Sequence, residues 1–202
     1  MDKQHLIIKD VRCSFPQLYG SEVKNGKTFN PGITVILERK KHAEIIKAIQ
    51  SRMKSAIAGN QKLTAKPPKA DNICLRRPEA DQEELLYKPD NLILKAGNPR
   101  APVVLEPDSK TLMTEETDKI YSGCYVNIKV DIWGQANDFG RRVNAKLLAV
   151  QYIPKAADSF DGSYVSPEEA MDGFDSLDDD VAIDDLNIDV AAGIEDEDNL
   201  LG

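Results

Sequence analysis

The stretch IYSGCYVNIKVDIW, residues 120–133, is the most strand-like in the chain, and the rest of the fold is read outward from it. Neighbouring side chains on a strand point to opposite faces. The even positions Ile120, Ser122, Cys124, Val126, Ile128, Val130 and Ile132 are almost wholly apolar and are expected to face a core. The odd positions are Tyr121, Gly123, Tyr125, Asn127, Lys129, Asp131 and Trp133. Three of those seven are aromatic, and Trp133 is the only tryptophan. Tyr121 and Tyr125 would stand roughly 13 Å apart along such a strand.

On the C-terminal side, GQANDFGR reads as a turn. RVNAKLLAVQYI (142–153) reads as the last strand, with a helical turn inside it as the alternative. On the N-terminal side, HLIIKDVRCSF (5–15) reads as a strand. Its Ile7, Val11, Cys13 and Phe15 share one face with Lys9 among them, Arg12 and Ser14 take the other, and Pro16 ends it. Phe15 is expected in the core. KNGK (24–27) supplies the Asn-Gly pair that favours a hairpin, and GITVILER (32–39) follows as the second strand. Next comes an amphipathic helix with Ile45, Ile46, Ile49, Met53 and Ile57 on one stripe, stopped by Gly59-Asn60. Residues 60–90 carry prolines and mixed charge and read as loop. NLILKAG (91–97) and APVVLEP (101–107) read as two short strands. Strands, one helix, then strands, all short and without repeats, predict a mainly β fold. The expected form is a small, partly closed antiparallel barrel of the OB kind with one packed helix.

The outward face of strand 120–133 suits unpaired nucleic acid. Every base has a π-face, so stacking on tyrosine or tryptophan tolerates any sequence. Nearby cations neutralise phosphates and release counterions. The candidates are Arg12, Lys24, Lys27, Lys95, Arg100, Lys129, Arg141, Arg142 and Lys146, beside Tyr121, Tyr125 and Trp133. The alternative is that the same rings cover a second protein layer, and for Lys24 and Lys27 a solvated hairpin tip is the default reading.

Charge divides the chain in two. All 26 Lys and Arg precede residue 156, and 18 of the 34 Asp and Glu lie in residues 1–157, so the body carries +8. Residues 158–202 hold the other sixteen acids and no base, a charge of −16. The overall −8 describes neither part. Such asymmetry points to nucleic acid or to interaction partners. The tail is poor in core-forming residues and is expected to be disordered. Its apolar residues Leu177, Val181, Ile183, Leu186, Ile188 and Val190 alternate with acids, a pattern that orders only against a partner.

Other classes find little footing. The N-terminus has the pattern of neither a signal peptide nor an anchor, and no stretch approaches a spanning helix, so no membrane partner is expected. The three cysteines are far apart with no C-x-x-C, the histidines are only His5 and His42, and reduced, largely buried thiols are expected rather than zinc. Phosphate-loop, zinc-protease and nucleophile-elbow motifs are missing, so neither an enzyme nor a cofactor is expected. The rival is a DNA mimic that blocks a host enzyme. That would spread acids over a folded surface rather than gather them after a basic body.

VRCSFPQLY near the start, IYSGCYVNIKVDIW late in the body, and RVNAKLLAVQYI after the next loop together resemble bacteriophage single-stranded-DNA-binding proteins with an OB fold, formerly a domain of unknown function. The likeness covers most of residues 5–153, in the same order. It implies an OB barrel at 1–157 that binds single-stranded DNA without sequence preference, in phage replication and recombination, within the cytoplasm of the infected bacterium. Tyr19 and Phe139, the rings in VRCSFPQLY and in the turn after Trp133, complete the candidate set. The resemblance also implies an acidic tail at 158–202 that docks partner enzymes. Its candidates are Phe174, Asp178, Asp179, Asp180, Glu195, Asp196, Glu197, Asp198, Leu200 and Leu201. This chain ends Asn199-Leu200-Leu201-Gly202, where related tails often end on an aromatic residue. A homodimer and a cooperative array on DNA are both compatible with the sequence.

Overall fold

In the computed structural model, which describes residues 5–78 and 90–160, the first long strand is β1 (Leu6–Gln17). All these residues lie in the first of the two units into which the chain divides, Met1–Tyr164 and Val165–Gly202. The expected disorder of the tail therefore falls outside the described residues, apart from 158–160. A hairpin, β2 (Glu22–Lys24) and β3 (Lys27–Phe29), stands as its own two-stranded sheet. Asn25 and Gly26 both take left-handed backbone at its turn, φ 51° and 71°, as the Asn-Gly pair requires. Then follow β4 (Gly32–Leu37), helix α1 (Ala43–Ala58), the short α2 (Gln61–Ala65), β5 (Leu75–Arg76), β6 (Leu92–Gly97), β7 (Val103–Leu105), β8 (Tyr125–Asn137) and β9 (Gly140–Ile153).

Seven strands form one sheet in the order β5-β6-β4-β1-β8-β9-β7. Parallel pairing of Ala96 with Ala145 and of Gly97 with Lys146 joins β6 to β9. That closes β1, β4, β6, β9 and β8 into a five-stranded barrel, the OB arrangement expected. Val11, Cys13, Val35, Leu37, Leu94, Val126, Ile128, Val130, Leu147 and Val150 fill it. Cys13, Cys74 and Cys124 are all buried free thiols, as expected. Among the described residues, no helix is long and apolar enough to cross a membrane.

Alternation is obeyed along β8 and broken along β1. From Tyr125 to Trp133 the odd side chains point out and Val126, Ile128 and Val130 point in. The strand begins at Tyr125 rather than at residue 120. Residues 120–124 turn, with Gly123 at φ 116°. In β1 the register slips between Ile8 and Val11 and again between Ser14 and Gln17. Asp10 and Phe15 carry positive φ, 50° and 49°, at these two bulges. The first moves Ile7 outward and Ile8 inward, and Val11 and Cys13 keep their expected place. The second ejects Phe15, which is 64% exposed and not a core residue. A period-two reading has no term for a bulge. Pro16 does not end the strand either, for Gln17 still pairs with Gly32 beyond the bulge. β9 is one continuous strand with no helical turn.

Helix α1 packs the predicted stripe on the barrel, with Ile46 and Ile49 buried and Ile45, Met53 and Ile57 against them. Gly59 ends it, and Asn60 caps α2 by accepting from the N–H groups of Lys62 and Leu63 at 3.1 and 3.4 Å. Gly134 of β8 lies beneath this corner. A Cβ there would come within 2.6 Å of Leu63 Cδ1 and 2.8 Å of the Ala56 carbonyl oxygen. Gly134→Val is therefore expected to lower stability by about 1–3 kcal/mol through overpacking, read as an earlier urea midpoint.

Asp118 gives a second check. Burial pushes its carboxyl above the usual carboxylate range, although its Oδ1 accepts the Ile120 N–H at 2.9 Å. The ionised form is therefore disfavoured in the folded state. Asp118→Asn keeps the acceptor without the charge, so it is expected to be at least as stable as the parent at neutral pH. The difference should shrink as pH falls through the raised value, where the parent is neutral too. Urea midpoints from about pH 4 to 8 measure this, and a gap that widens on acidification would contradict it.

Candidate nucleic-acid interface

An open groove of about 1270 Å³ lies over the start of β4 and the end of β6. Its floor consists of the same-face pairs Gly32–Gly97 and Thr34–Lys95. The first pair is small because it must be: a Cβ on Gly32 would stand 2.9 Å from the Ala96 carbonyl oxygen. β1 flanks β4 and contributes Phe15, joined by Phe29 at the end of the β2–β3 hairpin. β9 flanks β6, and the β8–β9 hairpin contributes Trp133, Gln135, Arg142, Asn144 and Lys146. The Asn144 amide donates to Gln135 Oε1 at 3.0 Å, which steadies that wall.

Three rings therefore face one trough. Phe15 is 64% exposed, Phe29 46% and Trp133 43%, high values for such apolar side chains. Among the described residues, Arg76, Lys95, Arg100, Arg142 and Lys146 line the same trough against Asp71 and Asp131. Exposed flat rings beside an excess of positive charge suit a strand of stacked bases with a phosphate backbone.

The structure gathers only some of the sequence candidates here. Lys95, Arg100, Trp133, Arg142 and Lys146 line the groove. Lys24 and Lys27 pair across the β2–β3 hairpin beside it. Phe139 stands at the β8–β9 tip, 84% exposed, and Arg141 turns aside to donate from Nε to the Lys62 carbonyl at 3.4 Å. Lys129 is exposed on β8, paired with Ile7 and Ala149 away from the groove lining. Tyr19 packs against the core, where burial pushes its phenol up. Tyr121 precedes β8, packs against the core, and donates its hydroxyl to the Ala157 carbonyl at 2.7 Å.

Tyr125 shares Trp133's face of β8, but eight residues of strand, roughly 26 Å, separate them on a curving barrel. Its ring instead meets cations: Lys155 Nζ at 3.9 Å, Lys41 Nζ at 5.7 Å and the Arg12 guanidinium at 5.9 Å. Asp10 bridges Lys41 at 2.7 Å and Lys155 at 3.3 Å, and the Lys41 contact foremost holds its carboxyl below the usual range. The tail candidates Phe174, Asp178–180, Glu195, Asp196, Glu197, Asp198, Leu200 and Leu201 lie outside the described residues.

Sequence reading missed Phe15, Phe29 and Arg76 as groove residues. Phe29 sits two residues past Lys27 on a recognisable hairpin, so a ring beside a basic turn was a usable signal. Arg76 lay in the unreadable 60–90 region, and Phe15 depended on the bulge.

Residues 4–184 match the family described as Enterobacter phage Enc34, ssDNA-binding protein. The chain is 29% identical over 172 residues to protein p50 of Acyrthosiphon pisum secondary endosymbiont phage 1, covering 82% of this chain and 91% of that one. Its structure resembles that of the single-stranded DNA-binding protein from bacteriophage Enc34, with a TM-score of 0.68 and 24% identity over 85% of this chain and 92% of the other. The same protein in complex with ssDNA superposes with a TM-score of 0.64 and 23% identity, covering 77% and 89%. With the family match spanning nearly the whole sequence and the barrel agreeing in fold, the chain belongs to the phage Enc34 ssDNA-binding protein family, a non-enzymatic one.

Proposed function

We propose that this protein binds single-stranded DNA without sequence preference and protects and organises it during phage replication and recombination in the host cytoplasm. The observation that carries the reading is the groove over β4 and β6, where, among the described residues, three exposed rings stand among five cations and two carboxylates. Family membership supports it independently. Phe15, Phe29 and Trp133 stack bases, and Lys95, Arg100, Arg142, Lys146 and Arg76 neutralise phosphates. Lys24 and Lys27 extend the field from the hairpin.

The tail has two roles in this proposal. Its −16 competes with DNA for the basic groove, and on displacement it recruits a polymerase, primase-helicase or nuclease. A coil of 45 residues spans roughly 35–40 Å, enough to reach the groove of its own subunit or a neighbour's.

Titration of oligo(dT) against salt, followed by Trp133 emission, tests the groove. Five phosphates neutralised give a slope of log affinity against log salt near −3.5, at about 0.7 per phosphate. Quenching of Trp133 is expected on binding. Trp133→Ala and Phe15→Ala, followed by the anisotropy of a labelled oligo(dT), should each weaken binding by about 5- to 150-fold, the worth of one stacked base. Tyr121→Phe, which removes only the hydroxyl bonded to Ala157, should leave affinity within twofold, roughly the scatter expected of a substitution remote from the site. Wild-type affinity from both alanine variants would refute the groove.

Removal of residues 161–202, which leaves Phe160 in place, should tighten binding at low salt, with the difference closing as salt is raised. Unchanged or weaker binding at low salt would rule out competition by the tail.

A further inference from the structure

The floor of the groove continues beyond it. Along β4 and β6 the same-face pairs run Gly32–Gly97, Thr34–Lys95, then Ile36–Ile93. The first two pairs line the groove, and the third lies one repeat further on, roughly 6.7 Å along the strands. That step is close to the spacing of nucleotides in an extended single strand. Ile36 and Ile93 form a small apolar cluster of their own, outside the barrel core.

What covers this cluster is the ring of Phe160. The Arg12 guanidinium carbon lies 4.2 Å from the centroid of that ring. Arg12 is well placed to present a flat cation, because its Nε donates to the Gly123 carbonyl at 2.8 Å. Its terminal Nη2 donates to the Asp158 carbonyl at 2.5 Å. The Phe160 N–H and the Ser159 hydroxyl both donate to the Ser122 carbonyl, at 2.9 and 3.3 Å. Gly123 makes room for this passage. A Cβ there would collide with the Asp158 carbonyl and stand 3.1 Å from the Phe160 nitrogen.

An isoleucine pair below and a guanidinium against the ring face is a setting that takes any flat, π-bearing group. A nucleobase is such a group, and stacking on arginine is a general mode of its recognition. We infer that Arg12, Ile36 and Ile93 form a further nucleobase subsite at the end of the groove, and that Phe160 occupies it as a surrogate base in the free protein. The inference rests on the single-strand-binding reading above. When DNA extends into the subsite, Phe160 leaves and residues 158–160 detach. The Arg12 nitrogen that served the Asp158 carbonyl then turns to a phosphate. Competition at this point is by ring occupancy, unlike the electrostatic competition of the acidic tail, and the two respond differently to salt.

The test uses the full-length chain and its Phe160→Ala variant with oligo(dT). The variant is expected to bind about three- to tenfold more tightly, part of the worth of one stacked base. The gain should persist at about 0.5 M salt, where a Debye length of a few ångströms removes tail electrostatics. On the wild type, the Phe160 amide is expected to lose protection from hydrogen exchange when oligo(dT) saturates the protein. Wild-type binding with no gain in the variant, a gain that vanishes with salt, or a Phe160 amide that stays protected on DNA each overturns the subsite. The exchange measurement decides the matter even where the variant does not fold. Absence of oligo(dT) binding by the wild type itself marks failure of the underlying function, and the subsite falls with it.

Discussion

Two residues of parallel pairing, Ala96 with Ala145 and Gly97 with Lys146, join strands about fifty positions apart and turn an open sheet into a barrel. The groove depends on that seam. Lys95 lies on one side of it and Asn144 and Lys146 on the other, and only closure makes them walls of the same trough. Two pairs hold little by themselves. They are sustained by the long β8–β9 hairpin, whose register runs from Tyr125–Ile153 to Asn137–Gly140 and delivers β9 to β6. Small residues at Gly32, Ala96, Gly97 and Ala145 let the backbones approach.

The second constraint is the irregularity of β1. Asp10 and Phe15 hold left-handed backbone, which costs a non-glycine residue of order 1–3 kcal/mol. Each bulge places a side chain where regular alternation would not. Asp10 reaches Lys41 and Lys155 beside Tyr125, and Phe15 leaves the core for the groove. The strain is offset by the strand's inward residues Ile8, Val11 and Cys13, all fully buried. A regular β1 would return Phe15 to the interior and leave the β1 side of the groove to Phe29 and the hairpin.

Arg12 connects the body to the start of the acidic segment. It binds the carbonyls of Gly123 and Asp158 and lies against the ring of Phe160. The beginning of the segment that sequence reading assigned to the tail is thus hydrogen-bonded to the barrel rather than free of it.

Periodicity and turn chemistry determined much of the architecture directly. The helix stripe, the Asn-Gly hairpin, the inward set of β8 and the OB order of elements follow from side-chain spacing, because burial selects one face and a period of two or 3.6 records it. The opposed charges of body and tail, and the groove cations Lys95, Arg100, Arg142 and Lys146, were also legible there. Trp133 was legible too, but tertiary structure alone decided the places of Phe15, Tyr121 and Tyr125. Phe15 entered the groove through a bulge, Tyr121 was retired to the core by a turn before β8, and Tyr125 was carried away from Trp133 by barrel curvature. Bulges and closure arise from contacts between distant strands, and no local pattern of side chains encodes such contacts.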